Sequence, residues 1–199
     1  MRKYLPYIIL GLIALFIFSS ATGSYNSLVS KDEQVNQAWA NVQSAYQRRA
    51  DLIPNLVNTV KGAANFEKET LEAVVNARAK ATSVTVDPTN ITPSQLEAFT
   101  EAQSGLSSAL SKLLVTVERY PEMKSVANFS ELQTQLEGTE NRIKVERDRF
   151  NSAVTGYNKY MRQFPTNLYA GFFGFTRKAA FESDAGSEVA PNVNFDFGN

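Results

Sequence analysis

A seven-residue repeat of apolar side chains begins directly after the only membrane-length apolar segment in the sequence. One heptad position holds Tyr25, Trp39, Tyr46, Ile53 and Val60, and the other holds Leu28, Val35, Val42 and Leu56. Asp32 and Arg49 are the polar exceptions. This pattern predicts one nearly continuous apolar seam along a long helix over residues 25–60. Because such a helix is not stable alone in water, the rest of the chain must cover the seam.

The segment before the repeat has the length and composition of a membrane anchor. Residues 5–18 carry no charge, and a helix over residues 5–22 would be about 27 Å long, close to a hydrocarbon thickness of about 30 Å. A cleaved signal peptide has the same composition and is the competing interpretation. Arg2 and Lys3 precede the segment and only Lys31 follows it closely. The positive-inside rule therefore places the N-terminus in the cytoplasm and the remainder of the chain outside it.

The ends of the first two helices are set by Pro, Gly and Asn. Pro54 lacks a backbone donor, so a kink there or a break just before it is expected, and Gly62 is the expected stop. Asn65 is the expected cap of a second helix that runs to Ala81. Residues 82–91 contain β-branched and turn-forming side chains and are predicted to be a loop.

Two further helices complete the predicted bundle. A capping box that opens the third helix is formed by Thr92, Pro93 and Gln95. Pro121 ends the third helix, and a fourth starts near Asn128 or Ser130 and stops before Pro165. Its seam consists of Phe129, Leu136, Ile143, Phe150, Tyr157 and Phe164.

The predicted fold class is all-α. An N-terminal transmembrane helix is followed by an up-down antiparallel bundle of long helices with coiled-coil-like seams. The predicted domains are a membrane anchor at 1–24, a helical bundle at 25–165, an aromatic membrane-proximal segment at 166–181 and a disordered acidic tail at 182–199.

An antiparallel alignment of the first and last seams predicts a polar cluster between them. The two seams are equal in length, so a simple register pairs Tyr25 with Phe164 and Arg49 with Glu140. The predicted members are Arg48, Arg49, Asp51, Glu140, Asn141 and Arg142, with Glu146 as a further candidate. The main interpretation is a register lock, since a partly buried ion pair in an apolar seam specifies alignment more than it adds stability. A partner-binding patch and catalysis by the carboxylates of Asp51 and Glu140 are the alternatives.

The same register brings the aromatic segment to the membrane end of the bundle. Tyr169, Phe172, Phe173 and Phe175 are followed by Arg177 and Lys178. Aromatic rings with adjacent cations are typical of the membrane interface. The alternative is that these rings close the end of the hydrophobic core.

Composition excludes several kinds of chemistry. The chain has no Cys and no His, so thiol nucleophiles, imidazole catalysis, disulfides and the usual zinc ligands are absent. Lys plus Arg and Asp plus Glu are equal at 20 each, which gives no long-range field to gather nucleic acid. We identify no catalytic, cofactor-binding or metal-binding residues and no small-molecule substrate.

Several segments resemble the bacterial LemA family. Those that carry the resemblance are WANVQSAYQRRADLIPNLVNTVKGAANFE (39–67), VNARAKA (75–81), ERYPEMKSVANFSELQTQLEGTENRI (118–143) and FNSAVTGYNKYMRQFP (150–165). The resemblance implies an uncleaved single-pass membrane protein with a bundle of long helices, which favours an anchor over a signal peptide. It implies no catalytic residues. It also suggests, by association only, a link to envelope homeostasis or membrane-protein quality control.

The leading functional hypothesis is a membrane-anchored scaffold or adaptor of the bacterial envelope, without catalytic activity, that binds membrane lipid and protein partners or further copies of itself. One rival is a membrane-tethered hydrolase that uses carboxylates. Another is a coat that remodels membranes through its anchor and its aromatic segment.

Overall fold

The longest element, α1 (Leu5–Lys61), is a single helix of 57 residues. The structure is a computed structural model and describes residues 3–62, 67–120 and 127–182. The other helices are α2 (Lys68–Ser83), α3 (Pro93–Val117), α4 (Ala127–Arg162) and the short α5 (Thr166–Tyr169). No strand occurs within these ranges, which confirms the all-α fold class. α1 also crosses the predicted anchor boundary at residue 24 without interruption.

α1 continues through Pro54, so the predicted break before this residue is wrong. Proline has no N–H, which leaves the Ala50 carbonyl without its intrahelical donor. Arg78 of α2 donates from Nε to that carbonyl at 2.8 Å. A side chain of the neighbouring helix thus replaces the missing hydrogen bond. The helix ends at Lys61, one residue before the predicted stop at Gly62.

α2 and α3 begin with different N-caps. Glu67 occupies the N-cap position of α2, whereas Asn65, the predicted cap, lies outside the described residues. At α3 the predicted capping box is confirmed, since Thr92 Oγ1 accepts from the Gln95 amide and Gln95 Oε1 accepts from the Thr92 amide. These paired bonds satisfy two donors at the helix start.

Side-chain pairs fix the helix directions. Trp39 and Phe150 rings lie 5.4 Å apart and Arg49 contacts Glu140, so α1 and α4 are antiparallel. α2 and α3 are also antiparallel, since their ion pairs join Glu67 to Arg119 at 3.1 Å and Lys80 to Glu101 at 3.8 Å. Trp39 of α1 lies 5.3 Å from Phe99 of α3 and Arg49 bonds to Ser107, so α1 and α3 are parallel. The bundle is therefore up-down-up-down, as predicted.

The end of the predicted register is wrong. α4 ends at Arg162, and the Phe164 side chain is 80% exposed rather than paired with Tyr25. The Tyr25 ring instead lies edge-on to Phe173 at 5.0 Å and Phe175 at 5.9 Å. The chain turns after α4 and brings a later segment back to α1.

The core has two parts along α1. The far part packs α1 against α2, α3 and the start of α4 through Ile53, Leu56, Val60, Val74, Leu106, Leu110, Leu113, Phe129 and Leu136. The part nearer the apolar span contains Leu28, Val35, Trp39, Val42, Phe99, Phe150, Val154, Tyr157 and Phe181. α2 has 16 residues and α3 has 25, against 36 for α4. Beyond the ends of α2 and α3, α1 and α4 therefore need another cover.

Residues 176–182, which we call the C-terminal strap, supply that cover. Asn158 donates to the Lys178 carbonyl at 2.8 Å and accepts from its amide at 3.1 Å. Asn151 holds the Phe181 backbone in the same way, at 3.0 and 2.8 Å. Three strap residues thus cover the rise of seven helical residues, about 10.5 Å, which requires nearly full extension. The predicted acidic tail, apart from Glu182, lies outside the described residues.

Candidate functional site

The most concentrated set of buried polar contacts surrounds Arg49, whose side chain is only 2% exposed. Its Nη1 donates to Glu140 Oε1 at 2.5 Å and to Ser107 Oγ at 3.0 Å. Its Nη2 donates to Gln103 Oε1 at 2.6 Å. We call these four residues the polar layer; it joins α1, α3 and α4 at one level of the bundle.

Gln103 extends the polar layer to α2. Its Nε2 donates to the carbonyl of Ala81 at 3.1 Å. Ala81 lies in the last turn of α2, where carbonyls lack intrahelical donors. The Tyr46 ring packs 5.1 Å from the Arg49 guanidinium, and burial raises the pKa of its phenol despite the nearby cations of Arg147 and Arg49. One guanidinium therefore links all four long helices.

The structure separates the other predicted members of the cluster from the polar layer. Arg48 and Asn141 are exposed. Asp51 is also exposed and accepts a 2.7 Å hydrogen bond from Gln47. Arg142 is exposed and donates from Nε to Glu146 at 2.7 Å. Of the six predicted residues, only Arg49 and Glu140 contact each other.

Glu146 is a second buried charge, on α4. Its Oε1 accepts from Arg142 at 2.7 Å and from Arg149 at 2.9 Å, while its own side chain is 1% exposed. Both arginines reach in from the surface of the same helix. The carboxylate thereby keeps its charge compensated inside an otherwise apolar seam.

A third buried charge corrects the predicted role of Lys178. This residue was expected at the membrane interface, but its side chain is 2% exposed and pairs with Asp32 at 2.7 Å. It also donates to Asn36 Oδ1 at 3.1 Å and to the Pro88 carbonyl at 2.8 Å. Asp32, a polar exception of the first seam, thus joins the strap to α1 through its ion pair with Lys178.

The predicted aromatic residues divide into two sets. Phe173 and Phe175 are half-buried against Tyr25, and Tyr169 is also half-buried. Phe172 is 86% exposed. The exposed rings therefore differ from the predicted group, because Phe164 joins Phe172 at the surface.

Asp51 and Glu140, the carboxylates of the catalytic alternative, have separate partners, Gln47 and Arg49. Neither Asp51 nor Glu140 is among the residues that line the cavities at the end of α4, between α1 and α4, and beside α3. Within residues 3–62, 67–120 and 127–182 no group of three carboxylates is arranged to hold a metal ion. The polar layer holds the Arg49 charge between helices, and its one carboxylate, Glu140, is paired with that charge.

Sequence reasoning missed Gln103, Asn151 and Asn158 as organising residues. Gln103 falls on the heptad position of α3 that otherwise holds Leu96, Leu110 and Val117, and a polar residue at that position was the signal of its role. Asn151 and Asn158 are seven residues apart in a heptad-bearing helix, but nothing in their local sequence indicates that an extended segment lies against them.

Together these features define a class: an α-helical bundle protein whose first helix is, in its N-terminal part, long and apolar enough to cross a membrane. The sequence model of the LemA family matches residues 38–195. The chain belongs to the LemA family.

Named relatives match most of the chain at low sequence identity. Protein LemA of Metamycoplasma hominis is 25% identical over 171 residues, covering 86% of this chain and 74% of that protein. Magnetosome proteins MamQ 1 and MamQ 2 of Paramagnetospirillum magneticum are each 27% identical over 175 residues, covering 79% of this chain. The chain spans 64% of the length of these two magnetosome proteins.

Proposed function

We propose that this protein is a membrane-anchored helical scaffold of the bacterial envelope, without catalytic activity, that presents its bundle to protein partners or to further copies of itself. The observation that carries the proposal is the course of α1. Every side chain of residues 5–18 is exposed, although most are large and apolar. Lipid is the solvent that suits such a surface, and the same helix continues as the centre of the bundle.

The aromatic end of the bundle supports contact with the same bilayer. Thr166 donates to Ser24 at 3.4 Å, which places α5 beside the end of the apolar span. Phe164, Leu168 and Phe172 expose 80, 63 and 86% of their surface there. Exposed rings at this level favour insertion at headgroup depth. The proposed interfacial set is therefore these three residues, with Tyr169, Phe173 and Phe175 behind them.

The polar layer supports a structural role for the charged residues. Glu140 neutralises a buried guanidinium, which is a structural role that its position beside the seam explains. Asp51 is exposed and bonded to Gln47. These contacts favour the scaffold over the membrane-tethered hydrolase that would use both carboxylates.

A membrane-remodelling coat is the stronger version of the same proposal. The apolar span and the exposed rings would give each copy two contacts with one bilayer. The N-terminus is proposed to be cytoplasmic and the bundle extracytoplasmic, because Arg2 and Lys3 precede the span. A magnetosome role is not included, since the chain spans 64% of the relatives that carry that name.

The mass of the protein extracted from its native membrane tests the scaffold directly. We expect an uncleaved chain, retained after an alkaline wash, in complexes with partners or with further copies. A chain shortened by its first 20 or so residues would identify the segment as a signal peptide. A full-length monomer without partners after in-membrane crosslinking would contradict the scaffold while leaving the anchor intact.

A further inference from the structure

A basic cavity lies at the C-terminal end of α4. It has a volume of about 460 Å³ and is lined by Thr155, Asn158, Lys159, Arg162, Gln163 and Arg177. Three of these six side chains are cations and none is a carboxylate. The cavity is open to solvent on one side, so a ligand can enter without any movement of the bundle.

The three cations are not paired with acids of the chain. Lys159, Arg162 and Arg177 form no ion pair with any residue in the described part of the chain, whereas Arg49, Arg142 and Lys178 do. Cations in the last turn of a helix complement its dipole, which accounts for Lys159 and Arg162. It does not account for Arg177, which comes from the strap. Three like charges around one cavity favour a bound anion.

The backbone on both sides of Arg177 is held in place. The Tyr157 hydroxyl donates to the Thr176 carbonyl at 2.9 Å. Asn158 forms two hydrogen bonds with the Lys178 backbone. The backbone of Arg177 is thus fixed between two anchored residues beside the end of α4. The cavity therefore does not depend on ordering of this segment when an anion binds.

The edge of the cavity nearest the apolar span, at Arg162 and Gln163, lies close to the level of lipid headgroups if the bundle stands on a bilayer as proposed above. Thr166 contacts Ser24, and the Lys31 ammonium lies 5.5 Å from the centre of the Tyr160 ring. The end of α4 therefore runs beside residues 24–31 of α1, which follow the apolar span by about 3–14 Å of helix rise. The headgroup region of one leaflet is about 5–8 Å thick. Phe164, which is 80% exposed, follows the cavity residue Gln163 in the chain.

We propose that this basic cavity binds the phosphate of an anionic phospholipid in the leaflet on which the bundle stands. The two guanidinium groups can each form paired hydrogen bonds with phosphate oxygens, and Lys159 adds a point charge. Phe164 and Leu168 lie against the glycerol and the first carbons of the acyl chains. The inference rests on the proposed membrane anchoring of the full chain.

Spin-labelled lipids test the proposal on the full-length protein in phosphatidylcholine vesicles. The measured quantity is the motionally restricted fraction of spin-labelled phosphatidylglycerol compared with that of spin-labelled phosphatidylcholine. Wild-type protein should prefer the anionic lipid about five- to thirtyfold, the effect of one to two cations close to the headgroup. The preference should fall by about fivefold or more in Arg162→Gln/Arg177→Gln, which leaves only the Lys159 charge at the cavity.

A matched control separates the cavity from general surface charge. Lys31→Gln removes a cation at the membrane end of α1 that does not line this cavity, and the preference should remain. Millimolar inorganic phosphate should not abolish it, because the acyl chains hold the lipid in place.

Three results would overturn the cavity site: no preference in the wild type, an equal loss in the control, or complete competition by inorganic phosphate. Flotation of the same vesicles keeps this test separate from the anchor. Protein that floats without a lipid preference contradicts only the cavity, whereas protein that fails to float contradicts the anchoring itself.

Discussion

Replacing Arg49 by methionine tests whether the polar layer aligns the helices. Methionine keeps an unbranched apolar side chain of similar reach but removes every guanidinium hydrogen bond. Gln103 Oε1 then loses its 2.6 Å donor inside the bundle. Glu140 is 50% exposed and can be hydrated instead. The loss is therefore dominated by one buried acceptor.

The expected loss of stability follows from this difference between the buried Gln103 and the half-exposed Glu140. A buried acceptor without a donor costs about 1–3 kcal/mol, so Arg49→Met should lower the free energy of unfolding by about that amount. Glu140→Ala leaves the buried guanidinium with Gln103 and Ser107 and should cost about 1.5–3 kcal/mol, the value of a charge-assisted hydrogen bond. Both values lie below the roughly 3–5 kcal/mol of a fully buried pair, since water reaches Glu140.

Urea unfolding of the full chain in detergent, followed by circular dichroism, gives these energies. The double variant Arg49→Met/Glu140→Ala should be less destabilised than the sum of the single variants by about 1–2 kcal/mol. Arg48→Met is the matched control, because its side chain is exposed and it adjoins Arg49. It should change stability by less than about 0.5 kcal/mol.

Alignment needs its own measurement, and the chain has no cysteine, so introduced labels are unique. Spin labels at the exposed positions Gln43 and Asp148 report the distance between α1 and α4. If the polar layer fixes the register, Arg49→Met should broaden or split that distance distribution in the folded state. A coupling below about 0.5 kcal/mol together with an unchanged distribution would refute the register lock.

Three other predictions follow from single contacts. Arg78→Leu should cost about 1–3 kcal/mol in urea unfolding, and clearly less in a Pro54→Ala background, where the restored helical N–H reaches the carbonyl that Arg78 satisfies. Asn151→Ala/Asn158→Ala should release the strap and shift the emission of the single tryptophan to the red, with faster amide exchange in the strap. Burial raises the pKa of Tyr157 from 10.0 to about 12, so unfolding releases a proton between these values and stability should fall as pH rises from 10 towards 12. Tyr157→Phe should make that alkaline decline shallower.

Each of these has a clear opposite result. Equal costs of Arg78→Leu in both backgrounds would show that the helix does not depend on this hydrogen bond at Pro54. Asn141→Ala is the control for the strap, since Asn141 is exposed on the same helix. An equal red shift in that variant would contradict a specific role of Asn151 and Asn158 in holding the strap. An unchanged alkaline slope in Tyr157→Phe would mean that other groups, such as the buried Tyr46, dominate it.

Heptad patterning was sufficient to predict the helices and most of their register. Apolar positions seven apart must share a face, so the seams of α1 and α4 could be aligned before any contact was known. The polar exceptions were equally informative. Asp32, Arg49, Gln103 and Glu146 each interrupt a seam, and each makes an ion pair or a buried hydrogen bond in the structure.

Contacts between segments distant in sequence were beyond that reasoning. That proline disrupts a helix is a local rule, whereas the hydrogen bond that replaces the lost one at Pro54 comes from Arg78 on another helix. The strap shows no periodic pattern of apolar residues that would reveal it in the sequence, because its backbone is held by asparagine side chains and needs no alternating polarity. The aromatic rings were placed at the correct end of the bundle, but the exposed ones could not be identified until the end of α4 at Arg162 was known.

Because α1 is unbroken, a tilt of its apolar span would also tilt the bundle. Its C-terminal end at Lys61 lies about 59 Å along the helix axis from the end of the apolar span. A membrane thinner or thicker than the span changes the tilt of a transmembrane helix, and tilts of about 20° are ordinary. Without a hinge at the membrane surface, that tilt would carry the far end of the bundle sideways by about 20 Å. The position of its outer surface would thus report bilayer thickness.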